Sequence, residues 1–222
     1  MVTDSYTGDV SPGGPPAVRQ LEGLTLTKVA VDPEMSNNCY LLECADTGEV
    51  VLIDAAAEAE RLLELIGERT LTAIVTTHQH WDHHRALADV RTAHPSAVVV
   101  AGAPDSDAIT EQTGVEVDRR VGEGDTVAVG TCELEVIPVV GHTPGSICLH
   151  RDGHLFTGDS LFPGGVGATR GDASAFVQLV DQVETKLFGR LPDATWFYPG
   201  HGGDGVLGNE RPHLAEWRER GW

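Results

Sequence analysis

The sequence predicts an α/β (α+β) fold, and three observations carry that prediction. Apolar strand-like runs alternate with helical periodicity through the first half, from Val50–Ile53 through an amphipathic stretch around Leu62 and Ile66 to residues 71–75. The second half turns to paired strands joined by Gly-containing turns. Finally, 222 residues suffice for one substantial core, and no linker-like stretch divides them. The expected organisation is a flexible leader over residues 1–18 and a single domain over residues 19–222.

The leader contains Ser11-Pro12-Gly13-Gly14-Pro15-Pro16, which builds neither helix nor ladder, so poor order is expected there. Apolar and polar residues then roughly alternate over residues 24–31. Strands at 38–42 and 50–53 flank the turn Asp46-Thr47-Gly48, and Asp54 ends the second of them. Leu62, Leu63, Leu65 and Ile66 share the face of a helix that stops near Gly67. Beyond residues 71–75, a helix over 85–93 is halted by Pro95, a buried strand follows at 97–101, and a weaker helix covers 105–113. Hairpins pair 126–129 with 132–140 and 146–150 with 154–156. A helix over 174–188 and a strand over 195–198 complete the pattern.

The 34 acidic against 15 basic residues give a net charge of −19, which disfavours nucleic acid and anionic lipid surfaces as partners. The N-terminal region carries Asp4 and Asp9 and no apolar run, and no stretch approaches bilayer length, so a cytoplasmic protein without membrane association is expected. Cys39, Cys44, Cys132 and Cys148 lack metal or redox spacing and read as small packing residues.

Chemistry concentrates in Thr76-Thr77-His78-Gln79-His80-Trp81-Asp82-His83, directly after a predicted strand. His78 and His80 stand two apart, so an extended turn aims both at one ion, while Asp82 and His83 project toward a second position. Imidazole and carboxylate without cysteine suit zinc, iron or manganese in an open site rather than a closed structural zinc.

This motif, followed in order by Gly141-His142-Thr143-Pro144-Gly145, Phe156-Thr157-Gly158-Asp159-Ser160-Leu161-Phe162 and Tyr198-Pro199-Gly200-His201-Gly202, resembles the metallo-β-lactamase superfamily. With Asn38-Cys39-Tyr40, it most resembles the glyoxalase II-like branch, over roughly residues 21–205. The resemblance implies a four-layer αββα sandwich. It also implies that His142 joins His78 and His80 on a first ion, that His201 joins Asp82 and His83 on a second, and that Asp159 bridges both. Two Zn2+ per chain are the expected cofactors. Two ions about 3.5–4 Å apart make a bridging hydroxide available near neutral pH, to attack an acyl carbonyl while Asp82 orients it and shuttles its proton. The expected substrate is a small-molecule thioester or ester.

Bland readings stand beside these. His84, His94, His150, His154 and His213 read as surface or core residues, Trp81 as packing beneath the loop, and Arg85 as a solvated helix-face residue. Gly164-Gly165-Val166-Gly167 reads as shaping a pocket mouth and not as a phosphate loop, because no Lys-Ser/Thr pair follows; Arg170 after it carries no assignment. The chain ends 21 residues after His201, short of the helical region that two-domain glyoxalase II enzymes use for glutathione, so glutathione is not the expected carrier, while thioester hydrolysis remains expected. The rival reading is a persulfide dioxygenase with one Fe2+ on His78, His142 and Asp159. A lactonase and a non-catalytic binding module follow. The acyl group, carrier and oligomeric state stay open.

Overall fold

The computed structural model describes residues 6–221. The first sheet is built by β1 (Ala17–Gln20), β2 (Leu24–Val31), β3 (Asn37–Cys44), β4 (Val50–Ile53), β5 (Leu71–Thr76), β6 (Val98–Gly102) and β7 (Arg119–Val121) in sequential order. Its β1–β4 half is an antiparallel meander. From β4 onward the strands run parallel, because α1 (Ala59–Ile66), α2 (Leu87–Ala93) and α3 (Ser106–Thr113) supply the crossovers that parallel pairing requires. The second sheet follows the order β15-β14-β11-β10-β9-β8. It comprises β8 (Thr126–Val129), β9 (Cys132–Pro138), β10 (Ile147–Arg151), β11 (His154–Gly158), β14 (Trp196–Pro199) and β15 (Gly205–Val206). A two-stranded ribbon, β12 (Leu161–Phe162) with β13 (Gly165–Val166), stands outside it.

Strand alternation explains the layering. On β2–β4, Leu24, Leu26, Tyr40, Leu42, Val51 and Ile53 face the second sheet and meet Leu134, Val136, Leu149, Phe156 and Tyr198. Their neighbours Val29, Val31, Cys39, Leu41, Val50 and Leu52 face α1–α3. The outer side of the second sheet, with Ile137, Cys148, Leu155 and Phe197, is covered by α4 (Ala173–Gln182) and α6 (Leu214–Arg220), beyond the short α5 (Leu207–Glu210). The result is the expected four-layer αββα sandwich. Central strands covered on both faces read as unbroken apolar runs, as the fully buried β4 does.

Two expectations are corrected. Residues 1–5 of the leader lie outside the described residues, but from Tyr6 the chain is anchored: the Tyr6 hydroxyl donates to Asp204 Oδ2 at 2.9 Å, and β1 begins at Ala17. Side-chain anchors hold this segment where its composition forbids a ladder. The helix expected over 174–188 is α-helical only to Gln182, and Val183–Phe188 widens into a π-helical turn. The C-terminal stretch forms α6 and buries Trp217 against the outer face of the second sheet. No helix among the described residues is long and apolar enough to cross a membrane.

Candidate metal centre

Four loops that follow β5, β9, β11 and β14 converge. After Thr76 the chain leaves the first sheet in a loop closed by a single 3-10 turn, Trp81–His83. Asp54, just beyond β4 in a left-handed backbone conformation, fixes that loop from below. Its carboxylate accepts the Thr77 backbone N–H at 2.8 Å, the Thr77 hydroxyl at 2.8 Å and Nδ1–H of His83 at 2.8 Å. Thr77 has one hydroxyl proton and gives it to Asp54, so its oxygen accepts Nδ1–H of His78 at 3.1 Å. Nε2 of His78 is thereby left bare and aimed into the site.

The loop after β9 is tied to the first by Asp105. Its buried carboxylate accepts from the Gln79 backbone at 2.9 Å, the Thr143 hydroxyl at 2.6 Å and the Gly145 backbone at 2.7 Å. His142 donates Nδ1–H to the Ala168 carbonyl at 2.9 Å, and His201 donates Nδ1–H to the Met35 carbonyl at 2.9 Å. Both therefore present Nε2 inward. At Gly200, a Cβ would strike Asp159 Oδ1 and His83 Cε1, so the turn before His201 has no room for a side chain.

Two clusters result. In the first, His80 Nδ1 lies 3.0 Å from His78 Nε2 and 2.8 Å from His142 Nε2, and the latter two nitrogens are 3.3 Å apart. In the second, His83 Nε2 lies 3.5 Å from Asp82 Oδ2, and His201 Nε2 lies 3.3 Å from the same oxygen. Asp159 stands between them, with Oδ1 3.4 Å from His83 Nε2 and Oδ2 3.7 Å from His142 Nε2 and 3.6 Å from His201 Nε2. All seven residues expected as ligands are thus in one constellation. It opens into a cleft of about 450 Å³ lined by Phe162, residues 163–168 and Arg220.

Residues 32–201 match the sequence model of the metallo-beta-lactamase superfamily. The chain belongs to that superfamily. It is 33% identical over 181 residues to the mitochondrial persulfide dioxygenase ETHE1 of Mus musculus, spanning 79% of this chain and 68% of that one. It is 35% identical over 186 residues to a hydroxyacylglutathione hydrolase of Polaromonas sp., spanning 79% of this chain and 65%, just under two thirds, of that relative. The crystal structure of TTHA1623 in a di-iron-bound form superposes with a TM-score of 0.68 at 29% identity, over 83% of this chain and 96% of that one.

The donor atoms fit the divalent ions this superfamily binds. His78 and His142 turn bare nitrogens toward His80 Nδ1, which donates to at most one of them, so the cluster is not satisfied by hydrogen bonds alone. Nε2 of His83 and Oδ1 of Asp159 are buried with no hydrogen-bond partner. Burial pulls the His78 imidazole well below the usual histidine range, and burial with the neighbouring His142 and Arg170 pushes His80 down to about 4, so both rings are neutral at pH 7, the form that can ligate a metal. Burial works to raise Asp82 and Asp159, yet both lie below the usual carboxylate range. His201 and His83 outweigh it at Asp82; His83, His201 and His142 do so at Asp159.

Other residues depart from their plain readings. Trp81 does not pack beneath the loop: it is 50% exposed on the rim, because the 3-10 turn directs Asp82 and His83 inward and leaves Trp81 outside. Arg85 lies over its ring at 4.7 Å and bonds to Asp32, so it is a partnered rim residue. His84 is buried and donates Nε2–H to the Gln79 carbonyl at 3.1 Å, a packing role as expected. Asp54, Thr77, Asp105 and Asn37, whose Nδ2 donates to Asp82 Oδ2 at 3.0 Å, were not legible as site residues. The one signal was an acid closing the otherwise apolar run Val50–Ile53.

Proposed function

We propose that this chain is a dinuclear metallohydrolase, with zinc as its ion, that cleaves a small thioester or related acyl bond. The observation that supports it most is that both ligand clusters are complete and share Asp159, whose two oxygens face different histidines. His78, His80 and His142 would hold one ion, Asp82, His83 and His201 the other. The bound ions supply Lewis acidity that activates water and polarises an acyl carbonyl. Asn37 fixes the ionised Asp82 carboxylate, which is placed to take up and pass on a proton at its oxygens. A thiolate leaves without a dedicated acid, so thioester cleavage asks for no proton donor beyond the ligand constellation. The cleft walled by Phe162 and the glycine-rich ribbon admits the acyl-thiol.

The likeness to ETHE1 supports a second reading, a one-iron persulfide dioxygenase using His78, His142 and Asp159 as a two-histidine, one-carboxylate face. The two readings separate in one assay pair. The hydrolase releases free thiol from lactoyl-thiol thioesters and consumes no oxygen with a persulfide; oxygen consumption without thioester cleavage would replace the first reading by the second.

A further inference from the structure

Lys28 is a charged residue on the inter-sheet face of β2, in line with the core residues Leu24 and Leu26, and it is 0% exposed. Its ammonium crosses to the turn that carries His201. It donates to Asp204 Oδ1 at 2.6 Å, to the Gly202 carbonyl at 3.0 Å and to the Gly8 carbonyl at 2.9 Å, so all three protons have acceptors. Asp204 is held in turn through Oδ2 by the Tyr6 hydroxyl at 2.9 Å and the Trp196 indole at 3.2 Å. A buried ion pair is weak evidence for stability, since dehydrating both charges opposes the attraction between them. Its geometric effect is plainer: it pins one turn to one strand.

The rest of that turn is fixed from the same strands. Asn38 donates its backbone N–H to the Gly200 carbonyl at 2.7 Å and Nδ2–H to the Pro199 and Gly202 carbonyls at 2.9 Å each, and the Tyr40 hydroxyl donates to the Pro199 carbonyl at 2.6 Å. His201 sits at the centre of these anchors. The first cluster is held differently: its loops depend on Asp54, Thr77 and Asp105, and Lys28 and Asp204 bond to none of them.

We infer that Lys28 and Asp204 form a positioning device for the second metal position, setting its affinity through the His201 turn while leaving the first position untouched. Neither residue contacts a reacting atom; each acts through the Gly202 carbonyl and the backbone beside it. Because the N-terminal segment enters through Gly8 and Tyr6, the same device makes that segment part of what holds His201 in place. The inference rests on the dinuclear reading, which wild-type stoichiometry tests separately, and not on the identity of the substrate.

The test is zinc titration of the full-length apo chain against a competing chelator, with His201→Ala marking which step belongs to the second position. Lys28→Met is expected to weaken that step at least tenfold and leave the other within twofold, and Tyr6→Phe to weaken it in the same direction by a smaller factor. A general loss of stability would weaken both steps together, so an equal loss in both overturns the inference. So does an unchanged second step in folded Lys28→Met. Should Lys28→Met fail to fold, Tyr6→Phe decides, and an unaltered second step overturns the inference. A wild-type chain that holds one ion without His201 does the same.

Discussion

Nδ1 of His83 donates a 2.8 Å hydrogen bond to Oδ2 of Asp54 at the floor of the metal centre, with both side chains buried. Through Thr77 the same carboxylate also sets the orientation of His78, so one acid outside the ligand constellation fixes a histidine in each cluster. Asp54→Ala is therefore expected to lower affinity at both metal positions, by about 10–100-fold, as loss of a partner behind a ligating histidine typically does. Chelator competition measures it; unchanged affinity at both positions would remove Asp54 from this role.

Asp159 is the group shared between clusters, and its replacement is expected to differ from that of a peripheral histidine. Asp159→Ala should lower metal content and hydrolysis together, whereas His94→Ala should leave both near wild type. Elemental analysis of the purified variants checks this, and full occupancy in Asp159→Ala would contradict the shared role.

Gly200 packs against two groups of the site, Asp159 Oδ1 and His83 Cε1. Gly200→Ala is expected to displace one of them, destabilising the fold by about 1–3 kcal/mol, as overpacking typically does, and lowering metal affinity. Thermal unfolding combined with metal titration measures both effects. A variant with wild-type values in each would show that the turn yields without disturbing the ligands.

How much of this was legible depended on sequence distance. The run from His78 to His83 announces itself because its ligands are crowded into one loop after a recognisable strand. His142, Asp159 and His201 took their roles only from the order of motifs, since nothing local distinguishes them from a turn histidine or a capping aspartate. Asp54 could not be read: its partner His83 lies 29 residues away, brought near by the parallel pairing of β4 with β5. Lys28 was hidden in a strand whose alternation is only approximate, and its partner is 176 residues distant. The π-helical end of the 174–188 helix left no mark in the spacing of its apolar residues.

Acid should loosen the chelator-treated protein in a defined window. His80 is held down at about 4, against 6.5 for the free side chain, by burial first and then by His142 and Arg170. Between those values the unfolded chain binds a proton that the folded chain refuses, so stability falls as pH drops from 6.5 toward 4. His78 and His142, lowered chiefly by burial, add in the same direction. His83 and His201 act at the other end: burial opposes their protonation, but Asp159 and Asp54 raise His83, and Asp82 and Asp159 raise His201. Their contribution is full below pH 6.5 and is lost as pH rises. His80→Gln should flatten the Tm slope between pH 6 and 4.5. It should remove on the order of 1–2 kcal/mol once solvent screening of its partly exposed ring is allowed for. An identical slope in the variant would contradict the assignment.

A two-ion centre assembled by these seven side chains fixes the metal content expected of each chain. Protein produced with zinc and iron both supplied is measured by elemental analysis against chain concentration. Close to two ions per chain are expected, mainly zinc, falling to about one in His201→Ala. Close to one iron per chain, unchanged by His201→Ala, would contradict it.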